Sequence, residues 1–214
     1  MDFAPNRRQH DTLNEVTRLI EKGKTGYVVD ADIKGYFNNL EHDKIIERVR
    51  FRLAGPNILW LINKMLKAGV VEDGKWQPTV KGTEQGNLAS PVIANIYMHY
   101  TLSLWFELRF KKTCRGESGL VIYADDFIAT FQYKGDAERF LKETAERFAT
   151  IGLEFEPGKT QLVEFGRFAE EARKKQGAGK PDTFDFLGFA HLLLQEQQGM
   201  VQSEAENGAK KISA

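Results

Sequence analysis

Apolar and polar positions along the chain alternate with two different periods. In residues 11–22, "DTLNEVTRLIEK", Leu13, Val16, Leu19 and Ile20 recur at helical spacing, and Gly23 and Gly26 bracket the stop. "YVVDADI" (27–33) is apolar apart from Asp30 and Asp32 and predicts a strand. Two helices are expected over 42–53 and 56–68, divided by "AGP". "VVEDGKWQP" (70–78) carries the Asp73–Gly74 pair of a tight hairpin. Residues 90–108 form the most apolar helix candidate, with Ser90 placed to cap it and Pro91 in its first turn.

Further on, "VIYADDFIAT" (121–130) sets two adjacent carboxylates between apolar runs and predicts a hairpin over 119–132. Residues 135–152 repeat Ala137, Phe140, Leu141, Ala145, Phe148 and Ala149 along one helical face. Short strands are expected at 153–156, 161–165 and 184–190. Residues 167–183 read as a charged loop, and from Gln195 onward periodicity and apolar mass are lost, so 191–214 is expected to be a disordered tail. Helices interleaved with a few strands predict an α+β fold, a small sheet backed by helices.

Composition changes this picture little. Thirty basic and thirty acidic residues leave no net charge, so any nucleic-acid surface must be local. The lone Cys114 allows no internal disulfide, and no zinc-ligand spacing is present. No apolar run approaches the roughly 20 residues that span a membrane. The N-terminus is polar at once, so a cytoplasmic, membrane-free setting is expected.

The acidic positions carry the candidate chemistry. Asp32 closes one strand, and Asp125 and Asp126 sit at a hairpin turn. If these strands are neighbours, their carboxylates form a site suited to Mg²⁺, which takes few protein carboxylates and leaves room for phosphates. Two such ions activate an attacking hydroxyl and stabilise a leaving oxygen. An exposed acidic turn accounts equally well for the doublet alone, because Asp favours turns.

Five blocks occur in order: "ADIKGYFNNL" (31–40), "GTEQGNLASPVIANIY" (82–97), "YADD" (123–126), "GLEFEPGKT" (152–160) and "FDFLGF" (184–189). "FAPNRRQHDTLNEV" precedes them. Together they resemble the palm motifs of reverse transcriptases of the group II intron-encoded type, over about residues 3–190. The resemblance implies a polymerase palm with part of the fingers. It also implies an RNA-directed DNA polymerase that joins dNTPs to a DNA primer on an RNA template with two Mg²⁺, or Mn²⁺. An inactive remnant that binds RNA, or a retron-type enzyme, are the other readings. A group II intron RNA is a further expected partner.

The same resemblance assigns roles. Asp32, Asp125, Asp126 and the Ile33 carbonyl would hold the metals, with Asp126 the least direct. Lys159 in "PGKT" would protonate the departing pyrophosphate. Lys34, Gly35, Tyr36, Phe37 and Gln85 would meet the nucleotide, with Phe37 as the gate against a 2′-hydroxyl. Gly86, Tyr123, Phe186, Leu187 and Gly188 would contact template or primer. The second block departs from the commoner "GTPQGGPLSP" at Glu84, Asn87, Leu88 and Ala89, and Ala4 stands where the family has Arg. No counterpart of the usual fingers extension or thumb is visible, so 1–190 reads as a palm-centred partial domain. The basic group Arg109, Lys111, Lys112 and Arg115 ends the central helix, where cations complement its dipole; contact with phosphates is the other reading.

Overall fold

The computed structural model describes residues 9–53, 55–72, 74–83, 89–165, 184–186, 189–194 and 202–207. The element order is α1 (Gln9–Lys22), β1 (Tyr27–Asp32), α2 (Tyr36–Asn39), α3 (His42–Arg50), α4 (Pro56–Leu66), β2 (Val70–Glu72) and β3 (Lys75–Gln77). Then come α5 (Ser90–Met98), β4 (Ser118–Tyr123), β5 (Asp126–Phe131), α6 (Lys134–Ala149), β6 (Gln161–Glu164), β7 (Phe184–Phe186), β8 (Phe189–Leu194) and β9 (Gln202–Asn207).

Four strands form the central antiparallel sheet in the order β4-β5-β1-β6. Strand alternation sorts the side chains of β1 to two faces. Val29, Ala31 and Ile33 join the larger core with Ile45 and Val49 of α3, Leu102 and Phe106, and Phe140 and Phe148 of α6. Val28 faces the other way and packs with Leu13, Val16 and Ile20 of α1, beside Val121, Ile128 and Val163. Asp30 and Asp32 share that second face, beyond the end of the cover that α1 provides.

Several elements differ from their sequence expectations. Ala89, not Ser90, is the N-cap of α5, and Ser90 lies buried in its first turn. The helix that starts there loosens into π-helical turns at His99–Ser103 and Phe106–Phe110. The buried residues explain the change. Met98, Leu102, Phe106 and Phe110 recur every four positions. An α-helix would rotate that row by about 40° per step, and wider turns keep it facing the core. On α6 the buried residues are Asp136, Ala137, Phe140, Thr144 and Phe148, leaving Ala145 and Ala149 exposed.

The strand expected over 153–156 is reduced to a single bridge, Ile33 to Phe155. The run 184–190 divides into β7 and β8, which pair with one another. Within the tail, β9 pairs with β8 along its whole length, so this part has regular structure where composition predicted none. The expected loop 167–183 lies outside the described residues. No described helix is long and apolar enough to cross a membrane.

Candidate active site

The site is built at one end of the sheet. β1 and β5 pair so that Asp32 directly faces Asp126, and β4 pairs with β5 so that Tyr123 faces Asp126 from the other side. Residues opposite one another in an antiparallel pair point to the same face. Tyr123, Asp126 and Asp32 therefore line one row across three strands. Only Ala124 and Asp125 remain for the hairpin loop. Ala124 has φ 56° and is the only described non-glycine with positive φ. A two-residue loop with positive φ only at its first position has the backbone of a type II′ turn.

A second loop closes on Asp32 from the β6 side. The Glu156 amide donates to the Asp32 carbonyl at 2.9 Å, and the Lys34 amide donates to the Glu154 carbonyl at 3.0 Å. This pairing leaves the Ile33 carbonyl unused by the bridge. The Lys159 and Thr160 amides then fold back onto the Glu156 carbonyl, each at 3.0 Å. The turn brings the Lys159 ammonium onto the Asp32 carboxylate as an ion pair.

The carboxylates are crowded. Asp32 is 7% exposed. Partial burial raises the Asp125 carboxyl above its ordinary value, as does the Asp32 charge, while a backbone hydrogen bond and Lys159 oppose the rise. Asp126 is pushed up to about 6, by burial first and then by Asp125, Asp32 and Asp30, with Lys159 opposing. Like charges held this close disfavour one another's ionised forms. Among the described residues no three acidic, histidine or cysteine side chains are grouped so as to hold a metal ion by themselves. A hard cation that completes its shell with substrate phosphates needs only one or two carboxylates, and this donor set suits such an ion.

The residues after Asp32 form a fixed turn. Gly35, at φ 53°, caps α2, and the Asn38 and Asn39 amides donate to its carbonyl. Lys34 is exposed and paired with Glu154 at 2.9 Å. The Tyr36 ring is buried rather than presented to solvent, and its hydroxyl donates to the Ala94 carbonyl at 2.7 Å. Burial, with lesser help from Tyr97 and Asp125, raises that phenol well above its ordinary range. Phe37 is half-buried, edge-on to Tyr36 at 5.4 Å.

The 81–83 segment is tied to this turn. The Thr83 amide donates to the Phe37 carbonyl and the Gly82 amide to the Leu40 carbonyl, both at 2.7 Å. The buried His42 ring, through Nε2–H, donates to the Gly82 carbonyl at 2.8 Å. No sequence motif flagged His42; its position three residues after α2 gave no sign of a contact forty residues away. Gln85, Gly86, Leu187 and Gly188 lie outside the described residues. The Phe186 ring is 1% exposed within the α1 core, so packing rather than primer contact occupies its side chain.

An antiparallel sheet backed by helices, with carboxylates on facing strand ends, defines a polymerase palm. The sequence agrees: the family described as reverse transcriptase (RNA-dependent DNA polymerase) matches residues 1–191, and the chain belongs to it. Its relatives include the group II intron-encoded protein LtrA of Lactococcus lactis subsp. cremoris, 36% identical over 109 residues, 51% of this chain and 18% of that protein. An uncharacterized 91 kDa protein in a cob intron of Schizosaccharomyces pombe is 34% identical over 45% of this chain and 12% of its own length. The matched part is thus less than one fifth of either relative. Both relatives are intron proteins, and LtrA is of the group II kind. In fold it resembles apo telomerase from Candida tropicalis truncated from its C-terminal domain. That likeness has a TM-score of 0.65 at 17% identity and covers 92% of this chain and 39% of the telomerase.

Proposed function

We propose that this chain is the palm of an RNA-directed DNA polymerase, extending a primer 3′-end on an RNA template. The observation that carries the reading is the pairing of Asp32 with Asp126 across β1 and β5, with Asp125 on the turn that joins β4 to β5. Asp32, Asp125 and the Ile33 carbonyl would hold two Mg²⁺, with Mn²⁺ as substitute, and Asp126 adds charge beside them. When bound, such ions would favour deprotonation of the primer 3′-hydroxyl and offset charge on the triphosphate.

The chain's own residues do the rest. The turn Lys34–Phe37 begins two residues after Asp32 and borders the triphosphate. The Phe37 ring, edge-on to Tyr36 and carried on a backbone whose carbonyl accepts from the Thr83 amide, limits space at the sugar 2′ position. Gln85 and Gly86 are assigned to the nascent base pair and template. Tyr123, in row with Asp126, lies toward the primer end; Leu187 and Gly188 are assigned to the primer strand. As the 3′-oxygen bonds to the α-phosphorus, the bond to the bridging oxygen breaks and pyrophosphate departs. Lys159 is positioned to give that leaving group a proton. A group II intron RNA as template is consistent with the relatives.

The test is primer extension by the purified chain on an RNA template with dNTPs and Mg²⁺. Extension is expected, with Asp125→Ala lowering the rate at least a thousandfold while the circular dichroism spectrum is retained. RNA binding without extension at any protein concentration would reject the catalytic reading and leave an RNA-binding remnant.

A further inference from the structure

The helices that back the sheet carry a second concentration of charge, on the side of the sheet opposite the carboxylates. Arg52, just past α3, lies over the Tyr100 ring with its guanidinium carbon 5.8 Å from the centroid. Its Nη2 is 3.2 Å from His99 Nε2. The Phe51 ring is 5.1 Å from the Tyr100 ring, and Phe51 is 63% exposed. Arg147 reaches across from α6, donates through Nε to the Thr101 carbonyl and lies over the Trp105 ring at 5.6 Å. Arg109 is exposed four residues beyond Trp105. The π-helical turns organise the group, because the widened backbone at His99–Ser103 includes the carbonyl that anchors Arg147.

These cations are uncompensated. Among the described residues Arg52, Arg109 and Arg147 have no carboxylate partner, whereas Arg18, Lys34, Lys44, Lys111 and Arg139 each do. Arg48 is paired with Glu47 at 3.0 Å. Burial and then the Arg48 and Arg109 charges hold Arg147 below its ordinary value. In a chain with equal numbers of acids and bases, a cluster of unpaired guanidiniums presents a local positive field that attracts polyanions.

The rings decide which polyanion. A duplex hides its base faces, whereas a single strand offers them to exposed aromatic side chains while arginines take its phosphates. We propose that this face binds single-stranded nucleic acid, with Arg52, Arg109 and Arg147 on phosphates and the exposed Phe51 ring stacked on a base, while the Tyr100 ring holds Arg52 and Phe51 in place. It is separate from the carboxylate end, since the sheet lies between them, and it operates whether or not the chain extends primers.

The experiment is fluorescence anisotropy of the full chain with a labelled oligouridylate of about 12 nucleotides, across a salt series. Each phosphate contact on a single strand contributes about 0.7 to the salt slope. The double variant R52A/R109A is expected to weaken binding about tenfold and to reduce the slope by about 1.4, in the parent and equally in an Asp125→Ala background. Phe51→Ala, which alters an exposed ring, is expected to weaken oligouridylate binding severalfold and leave inorganic polyphosphate binding unchanged. Thermal melts confirm that each variant is folded. Unchanged oligonucleotide affinity and slope in R52A/R109A overturn the proposal, and so does a duplex that competes as well as the single strand. An equal loss of polyphosphate binding in Phe51→Ala overturns the stacking assignment and with it the single-strand reading.

Discussion

The Lys159 ammonium rests on the Asp32 carboxylate, 127 positions earlier in the chain, so the cation proposed for the leaving group sits on a carboxylate proposed to hold metal. Lys159 is exposed and Asp32 is not. The lysine can therefore swing away when a divalent ion takes its place, at little packing cost. Lys159→Met removes a competitor of the metal and a proton donor at once. The expected outcome is a severalfold lower Mg²⁺ concentration for half-maximal thermal stabilisation, together with primer extension slowed about a hundredfold. An unaltered Mg²⁺ titration would show that the ion pair does not compete with metal.

Asp126 predicts how stability varies with pH. Its carboxyl is raised to about 6 in the fold, against an ordinary value near 3.8. Between those values the folded chain holds a proton that the unfolded chain has released. Its contribution to stability is therefore complete below pH 3.8 and lost as pH rises through about 6. Asp126→Asn removes the cost of ionisation. Discounted for partial solvent screening, it should stabilise the metal-free chain by about 1 kcal/mol at pH 7 and by nothing near pH 4. Urea denaturation at both pH values measures the difference. Saturating Mg²⁺ should shrink the gain at pH 7, because a bound cation relieves the same repulsion.

Ala124 holds a backbone conformation that suits glycine. At φ 56° its Cβ is crowded by its own carbonyl, a cost of about 1 kcal/mol for an L-residue. Ala124→Gly is expected to raise the unfolding free energy, measured by urea denaturation, by up to that amount, less what the freer unfolded chain takes back. Ala124→Val should lower it by about 1 kcal/mol and slow extension, because Asp125 follows directly and a rearranged turn displaces its carboxylate. A Val variant with parental midpoint and rate would mean that the turn tolerates branching and is not strained.

Much of this site is legible from local pattern, and the limits have physical causes. Alternation in "YVVDADI" alone puts Asp30 and Asp32 on one face, and the apolar flanks of "YADD" predict its hairpin. The pairing of Asp32 with Asp126 is a long-range register, and nothing within either strand specifies it; the ordered family blocks made it the expectation. The short strand at 153–156 failed because its pairing is spent on one bridge that seats the Lys159 turn. The π-helical turns escaped notice because a four-residue row of Met98, Leu102, Phe106 and Phe110 also reads as an ordinary buried helix. The Arg147 contact that accompanies them comes from a different helix.

Gly82 links the second sequence block to the first. It has φ +89°, and a Cβ there would lie 2.9 Å from the Asn38 Cα, the Asn38 carbonyl oxygen and the Phe37 carbonyl oxygen. All three are backbone atoms, so no side-chain rotation relieves the clash. Gly82→Ala must displace either the 81–83 segment or α2, breaking the Thr83-to-Phe37 hydrogen bond and the His42 contact with the Gly82 carbonyl. The expected loss of stability is about 2 kcal/mol, from the left-handed backbone and one buried hydrogen bond. The functional readout is sugar selectivity. Phe37→Ala should raise ribonucleotide incorporation relative to deoxyribonucleotide at least tenfold, by opening space at the 2′ position. Gly82→Ala should raise it by a smaller factor, by letting an intact Phe37 ring shift. Measured on one primer–template pair, an order of Phe37→Ala, then Gly82→Ala, then parent supports a gate held by the 81–83 segment. Unchanged selectivity in Gly82→Ala despite the stability loss would assign Gly82 to the fold alone.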